Sequence, residues 1–179
     1  MSAHDLVIRN ASVVDGTGAP ARIADVAVSD GVITEVGPRL TGTGTREIDA
    51  DGLTVTPGFV DIHTHFDGQA TWDPILAPSS IHGVTSIVMG NCGVGFAPAR
   101  PTPEQHAWLI GMLEGVEDIP GTALAEGLAW DWETFPDYMN ALDRREYAID
   151  VATQVAHAPL RAYVMGERGA DPLVAPTVD

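Results

Sequence analysis

The feature that most constrains the fold is a change in sequence pattern at Pro57. After it comes "GFVDIHTH", a mostly apolar run that ends in polar residues, as expected for a strand buried on both faces. A helical candidate at 74–82 and a second apolar run, "VTSIVMG", follow. This succession of strand, helix and strand predicts parallel pairing and therefore an α/β fold.

The residues before Pro57 have a different pattern, because short β-branched runs alternate with turn residues. Asp30-Gly31 lies between alternating apolar positions and is a strong hairpin signal. A second Asp-Gly pair follows at 51–52. Residues 5–56 are therefore predicted to form a small antiparallel β-unit.

The rest of the chain continues the alternation of helices and strands. Helical candidates cover "PTPEQHAWLIGMLEGV" and about 132–144, and "YAIDVATQVAH" is a third strand candidate that ends in His157. Each predicted strand thus leads to side chains with metal or acid–base chemistry: His63 and His65, Cys92, and His157. In a parallel barrel the carboxyl ends of the strands open on one face, where active sites are built.

His63 and His65 are the first candidate metal ligands. Residues i and i+2 of a strand point to the same side, so two imidazoles can converge on one ion. Cys92 adds a thiolate, and zinc with an open position can promote hydrolysis. Structural histidines and a small buried cysteine are the alternatives, although Asn91 and Gly93 favour an exposed loop. For His157 a core or hydrogen-bonding role competes with a ligand role.

Composition limits the classes of molecule that the protein can bind. Nine basic residues stand against 25 acidic ones, a formal net charge of -16, which disfavours nucleic acid and anionic membranes as partners. All nine are arginines, so no lysine is present to bridge metals or form a Schiff base. One cysteine excludes an intramolecular disulfide framework, the first residues lack the pattern of an export signal, and no apolar stretch is long enough for a membrane span. We therefore expect a cytoplasmic protein.

Two tracts carry a family resemblance. "DGLTVTPGFVDIHTHFDGQATWDP" resembles the start of an amidohydrolase-superfamily enzyme, and "HGVTSIVMGNCGVGFAPARP" resembles the N-acyl-D-amino-acid deacylase (D-aminoacylase) branch. The likeness continues through "DRREYAIDVATQVAHAPLRAYVMG" to about residue 169. The "GNCG" segment is much more specific than His-x-His.

The resemblance implies a fold and a metal site. It implies a β-sandwich segment over 1–56 and the first part of a (β/α)8 TIM barrel over 57–169. Residues 170–179 depart from the family pattern and are expected to form an irregular tail. It makes Cys92 the prime zinc ligand, in the place that the superfamily often gives to a carboxylated lysine. His63 and His65 then lie at the neighbouring metal position, so the site holds one or two zinc ions.

The implied reaction is zinc-assisted hydrolysis of an amide, releasing a D-amino acid and a carboxylate from a small N-acyl amino acid. Arg161 and His157 are candidates for substrate binding, since a guanidinium can bind a carboxylate bidentately. A surface salt bridge is the alternative for Arg161.

Length is the departure from the family. A complete barrel takes about 250 residues, so the barrel is expected to be incomplete within these 179 residues. The catalytic aspartate and later histidine ligands are expected beyond the chain, which is then an N-terminal fragment, inactive alone, that pairs with a complementing C-terminal half or with itself. A cyclic-amide hydrolase of the hydantoinase or dihydroorotase type is one alternative, against which the "GNCG" cysteine argues. A non-catalytic remnant or association module is the other.

Overall fold

The computed structural model describes residues 3–117, 119–171 and 173–177. The chain divides between Pro57 and Gly58 into two compact units. Each unit has its own sheet and its own apolar core. Within the described ranges, no helix is both long and apolar enough to cross a bilayer.

The first unit is a mixed five-stranded sheet. Its strands are β1 Ala3–Val13, β2 Arg22–Ser29, β3 Val32–Gly37, β4 Thr43–Asp49 and β5 Thr54–Val55. The order is β3-β2-β1-β4, with β5 also paired to β1. The predicted hairpin is confirmed: Asp30 and Gly31 join β2 to β3 with φ of 52° and 73°, the left-handed pair that a type I′ turn requires.

The prediction of a purely antiparallel unit was wrong for β4 and β5. Both run parallel to β1, whereas β1–β2 and β2–β3 are antiparallel. After β3 the chain crosses to the far side of β1, and Leu40 in this crossing is buried against Val7 and Ala27. Burial of Leu40 thus anchors a crossover that the local sequence pattern does not reveal.

The second unit contains a three-stranded parallel sheet in the order β6-β7-β8, which confirms the predicted parallel pairing. Its elements are β6 Phe59–Thr64, β7 Val84–Met89, α1 Pro103–Glu117, α2 Gly121–Gly127, α3 Phe135–Asp143, β8 Asp150–Thr153 and α4 His157–Met165. One apolar core joins β7 to the first three helices through Ile87, Leu113, Leu124 and Tyr138.

The helix predicted at 74–82 is absent, and only a single 3-10 turn, Ser80–His82, lies there. Pro74 and Pro78 interrupt the segment because proline lacks an N–H, and Leu76 has a left-handed φ of 54°. The prediction of a helix over this range was therefore wrong.

Two strand predictions also need correction. β6 is an edge strand, and its side chains Phe59, Val60 and Ile62 are exposed. Adjacent residues of a strand point to opposite faces, so the exposure of both Phe59 and Val60 shows that β6 is not buried on either face at these positions. The third strand stops at Thr153, so His157 begins α4 and does not end a strand.

Candidate metal centre

The structure brings His63, His65 and Cys92 together at the carboxyl end of the parallel sheet. One ligand atom of each residue lies within 4.8 Å of the others. The Sγ atom of Cys92 is 3.3 Å from Nε2 of His65, and the two imidazole centroids are 5.5 Å apart. The role of these residues as zinc ligands stays a prediction, but their donor atoms converge as that role requires.

The spacing of the donors fits zinc. With bonds of about 2.3 Å to sulfur and about 2.0–2.1 Å to nitrogen, a tetrahedral zinc ion separates the two atoms by about 3.5 Å. The observed distance of 3.3 Å between Cys92 Sγ and His65 Nε2 is close to this value. The two donors can therefore share one ion without rearrangement of the backbone.

Burial and charge favour the ligand form of His65. Burial, helped by the neighbouring His63, lowers the pKa of His65 below its ordinary value. A lowered pKa keeps the imidazole neutral near pH 7, and a metal binds the neutral form. His63 and Cys92 are exposed, so an ion can reach all three donors from solvent.

A tight loop after β7 holds Cys92 in place. Gly90 has a φ of +76°, and a Cβ atom on it would lie 2.4 Å from the carbonyl oxygen of Gln154, so only glycine fits. The N–H of Gly93 donates to Gly90 O at 3.1 Å, and the N–H of Ala158 donates to Gly93 O at 2.8 Å. The loop is thereby fixed against the first turn of α4 and lies close to Gln154, which directly follows β8.

Asp67 is a buried carboxyl group that sequence reasoning missed. It is 2% exposed, and burial raises its pKa to about 7, although backbone N–H groups of Asp67 and Gly90 oppose the shift. Within the described part of the chain, its Oδ2 atom has no hydrogen-bond partner. The available signal was its position two residues after His65 in "HTHFDG".

His157 lies near the cluster but outside it. A Cβ atom built on Gly93 would lie 3.7 Å from Cβ of His157. The donor group found among the described residues comprises only His63, His65 and Cys92. The His157 side chain is exposed, so the core role considered for it was wrong, and substrate binding stays a prediction.

Arg161 binds the chain's own backbone. Its guanidinium donates to the carbonyl of Gly169 at 3.0 Å, to that of Asp171 at 2.7 Å, and to that of Val174. A substrate carboxylate would have to displace these carbonyls. Arg161 therefore holds the backbone at Gly169, Asp171 and Val174, and its substrate role stays a prediction.

Comparison with known proteins agrees with this arrangement. Residues 46–175 match the sequence profile described as the Amidohydrolase family, and this range contains the whole cluster. The chain belongs to the amidohydrolase family.

The relatives of this amidohydrolase chain include N-acyl-D-amino-acid deacylases, which confirms the resemblance inferred from the sequence. N-acyl-D-aspartate deacylase of Alcaligenes xylosoxydans xylosoxydans is 36% identical over 166 residues, covering 92% of this chain and 30% of the relative. The crystal structure of N-acyl-D-glutamate deacylase from Bordetella bronchiseptica, complexed with zinc and a phosphonate inhibitor, is 36% identical with a TM-score of 0.76. The match covers 99% of this chain and 34% of the deacylase structure.

A shorter match is to an allantoinase. Allantoinase of Rubrobacter xylanophilus is 49% identical over 75 residues, which cover 41% of this chain and 16% of the relative. The deacylase matches extend over more than twice this length. The chain spans about a third or less of the length of these relatives.

Proposed function

We propose that this chain supplies zinc ligands to an amide hydrolase that removes the acyl group from small N-acyl-D-amino acids. The observation that carries the proposal is the convergence of Cys92, His63 and His65 at the ends of two parallel strands. The deacylase relatives, which match more than nine-tenths of the chain, give the substrate class. We also propose that the protein containing these residues is cytoplasmic.

The residues of the chain fit the proposed ion. Cys92 offers a thiolate and His65 a neutral imidazole, 3.3 Å apart, and His63 adds a third donor. We assign Cys92 to the principal ion and the two histidines to that ion or to a neighbouring second one. Zinc held there acts as a Lewis acid toward the scissile carbonyl and makes nearby water more acidic.

The fold proposal concerns the rest of the enzyme. We propose that the second unit is the first part of a (β/α)8 barrel and that the first unit is a segment of a β-sandwich. The open edge of β6, with Phe59, Val60 and Ile62 each at least 60% exposed, supports this proposal. An uncovered apolar edge of this kind favours association, either with a complementing C-terminal half or with a second copy of the chain.

A cyclic-amide hydrolase is the second candidate, supported by the allantoinase match. Its coverage of 41% is the reason for ranking it below the deacylase. We expect an enzyme containing this chain to hydrolyse N-acetyl-D-glutamate or N-acetyl-D-aspartate. Turnover of allantoin or a hydantoin, with no release of free D-amino acid, would reverse the ranking.

The decisive experiment on the chain itself is its zinc content after purification. Elemental analysis is combined with gel filtration, and wild type is compared with Cys92→Ala and with His82→Ala as a matched control. His82 is an exposed histidine outside the cluster, so its variant should keep about one zinc per chain while Cys92→Ala loses it. A folded wild-type chain without zinc would support the non-catalytic association module instead.

A further inference from the structure

One peptide group in the metal centre is held from both sides by side chains. The carbonyl of Ile62 accepts a hydrogen bond from Nδ2 of Asn91 at 2.6 Å. The N–H of His63, which belongs to the same peptide group, donates to Oδ1 of Asp61 at 3.1 Å. The two bonds together restrict rotation of the peptide plane that leads into His63.

This peptide group lies where the strand pairing is irregular. Asp61 pairs with Ile87 and Thr64 with Met89, so β6 has one more residue than β7 between these pairs. An extra residue of this kind bends a strand and redirects side chains, and it is common beside active sites. The irregular segment contains His63. The regular hydrogen-bond ladder between β6 and β7 therefore does not by itself fix the direction of the His63 side chain.

Asn91 also joins the two halves of the ligand set. It directly precedes Cys92 in the loop after β7, and its bond reaches the peptide that directly precedes His63. A single side chain thus connects the cysteine loop to the histidine strand. Loss of that bond would remove this side-chain link between the cysteine loop and the strand that carries His63.

We propose that Asn91 and Asp61 are positioning residues that clamp the 62–63 peptide and set the direction of His63 relative to Cys92. Neither residue belongs to the converging donor group. Their effect on zinc passes through the backbone of His63 and the loop of Cys92. This inference rests on the proposed function, since it concerns the geometry of the same zinc site.

The variants form matched pairs. Asp61→Ala removes the acceptor of the His63 N–H, whereas Asp61→Asn keeps an oxygen in the same place and changes only the charge. Asn91→Ala removes the donor to Ile62. Thr64→Val is the control, because Thr64 Oγ1 donates to Val88 O at 3.0 Å and so also joins β6 to β7 without touching the 62–63 peptide.

The first readout needs no metal. Amide hydrogen exchange of His63, followed by NMR in the zinc-free chain, should be at least tenfold faster in Asp61→Ala than in wild type. It should be unchanged in Thr64→Val and close to wild type in Asp61→Asn. Equal exchange in Asp61→Ala and wild type would overturn the clamp.

The second readout is the zinc affinity, measured by competition with a chromophoric chelator, together with the visible spectrum of the cobalt-substituted chain. Loss of outer partners that orient ligands typically weakens metal binding by about 10–100-fold. We expect that loss in Asn91→Ala and Asp61→Ala, with altered cobalt bands. Asp61→Asn and Thr64→Val should keep both the affinity and the spectrum.

The outcomes separate this inference from the proposed function. A wild-type chain that binds no zinc overturns the proposed function and the positioning role with it. A wild-type chain that binds zinc, with unchanged affinity in Asn91→Ala and Asp61→Ala, overturns only the positioning role. An equal loss of affinity in Thr64→Val would also contradict it, because any weakening of the strand pair would then suffice.

Discussion

Two polar clusters, one in each unit of the chain, are built in opposite ways. In the first unit the Arg9 guanidinium is 3.1 Å from Asp25 and 2.9 Å from Glu47. It also donates to the carbonyls of Leu40 and Gly42. In the second unit the donors of His63, His65 and Cys92 face one another and remain accessible from solvent.

The difference lies in where the hydrogen-bonding capacity is used. Asp25 accepts from Arg9 and from the backbone N–H groups of Asn10 and Leu40, so the chain itself satisfies the carboxylate. Buried polar groups satisfied in this way support a fold. Thiolate and imidazole donors that converge within reach of solvent gain little from folding and much from a metal. The first cluster is therefore structural, and the second is a candidate functional site.

The largest loss of stability should follow a substitution in the apolar core of the second unit and not in either cluster. Leu113 is fully buried, so Leu113→Ala should lower the free energy of unfolding by about 2–5 kcal/mol. Urea unfolding followed by tryptophan fluorescence measures it, since all four tryptophans lie in this unit. Leu160→Ala, at a side chain that is 42% exposed, is the control and should change stability far less. Equal losses would contradict the assignment of the core.

Removal of a histidine from the second cluster should change zinc binding and leave stability almost unaltered. In His63→Ala, at an exposed side chain, we expect at least a 100-fold loss of zinc affinity, about 3 kcal/mol, because a ligand is lost and not merely its support. Surface substitutions usually alter stability by within about 0.5 kcal/mol, and the zinc-free variant should unfold near the wild-type urea midpoint. A large stability loss without zinc would make this cluster structural, like that of Arg9.

The converse change in the first cluster should alter stability and leave zinc binding unaltered. Asp25→Asn leaves Arg9 without its buried counter-charge and weakens the acceptor for Asn10 and Leu40, at about 2 kcal/mol. Circular dichroism during urea unfolding measures the loss. Glu47→Gln, at a more exposed partner of Arg9, should cost less. A change of zinc affinity in Asp25→Asn would break the separation between the two clusters.

The same cluster predicts a pH dependence. Burial alone would raise the pKa of Asp25, but the N–H groups of Asn10 and Leu40 and the Arg9 guanidinium together hold it below its ordinary value. A lowered pKa stabilises the fold above the unfolded value of about 4, and this stability is lost as the pH falls through the folded pKa. The stability difference between wild type and Asp25→Asn should therefore shrink below about pH 4. A constant difference from pH 7 to pH 3 would contradict the ionised state of Asp25.

The smallest changes in stability are expected when either of two glycines is replaced by alanine. Gly31 has a φ of +73° with nothing within 4 Å of a built Cβ atom, so Gly31→Ala should cost about 1 kcal/mol through backbone strain alone. Gly111 lies within α1 and is equally free of contacts, so Gly111→Ala should stabilise by about 0.5–1 kcal/mol. The same sign for both substitutions, in urea unfolding, would contradict the assigned backbone conformations.

Local signals predicted the parts of the fold that depend on neighbouring residues. Asp30-Gly31 marked the hairpin, and the apolar runs before His63 and Cys92 marked two parallel strands. The parallel pairing of β4 was not accessible, because it depends on burial of Leu40 against residues more than ten positions away. The helix predicted at 74–82 does not form, because Pro74 and Pro78 interrupt the segment.

The candidate site shows the same division. His-x-His spacing and the "GNCG" segment identified the donors, since each signal is contained within a few residues. The burial of Asp67 was missed because it comes from tertiary packing, including Tyr138, whose hydroxyl donates to Asp67 O at 2.7 Å. The bond from Asn91 to Ile62 was missed for the same reason, because it joins residues 29 positions apart.

The most direct test of the central claim is X-ray absorption at the zinc edge of the chain loaded with one equivalent of zinc. The account predicts a sulfur scatterer at about 2.3 Å together with imidazole nitrogen at about 2.0–2.1 Å, and loss of the sulfur shell in Cys92→Ala. A wild-type spectrum containing only nitrogen and oxygen, unchanged in Cys92→Ala, would show that Cys92 does not bind the zinc and would contradict a metal site formed by His63, His65 and Cys92 together.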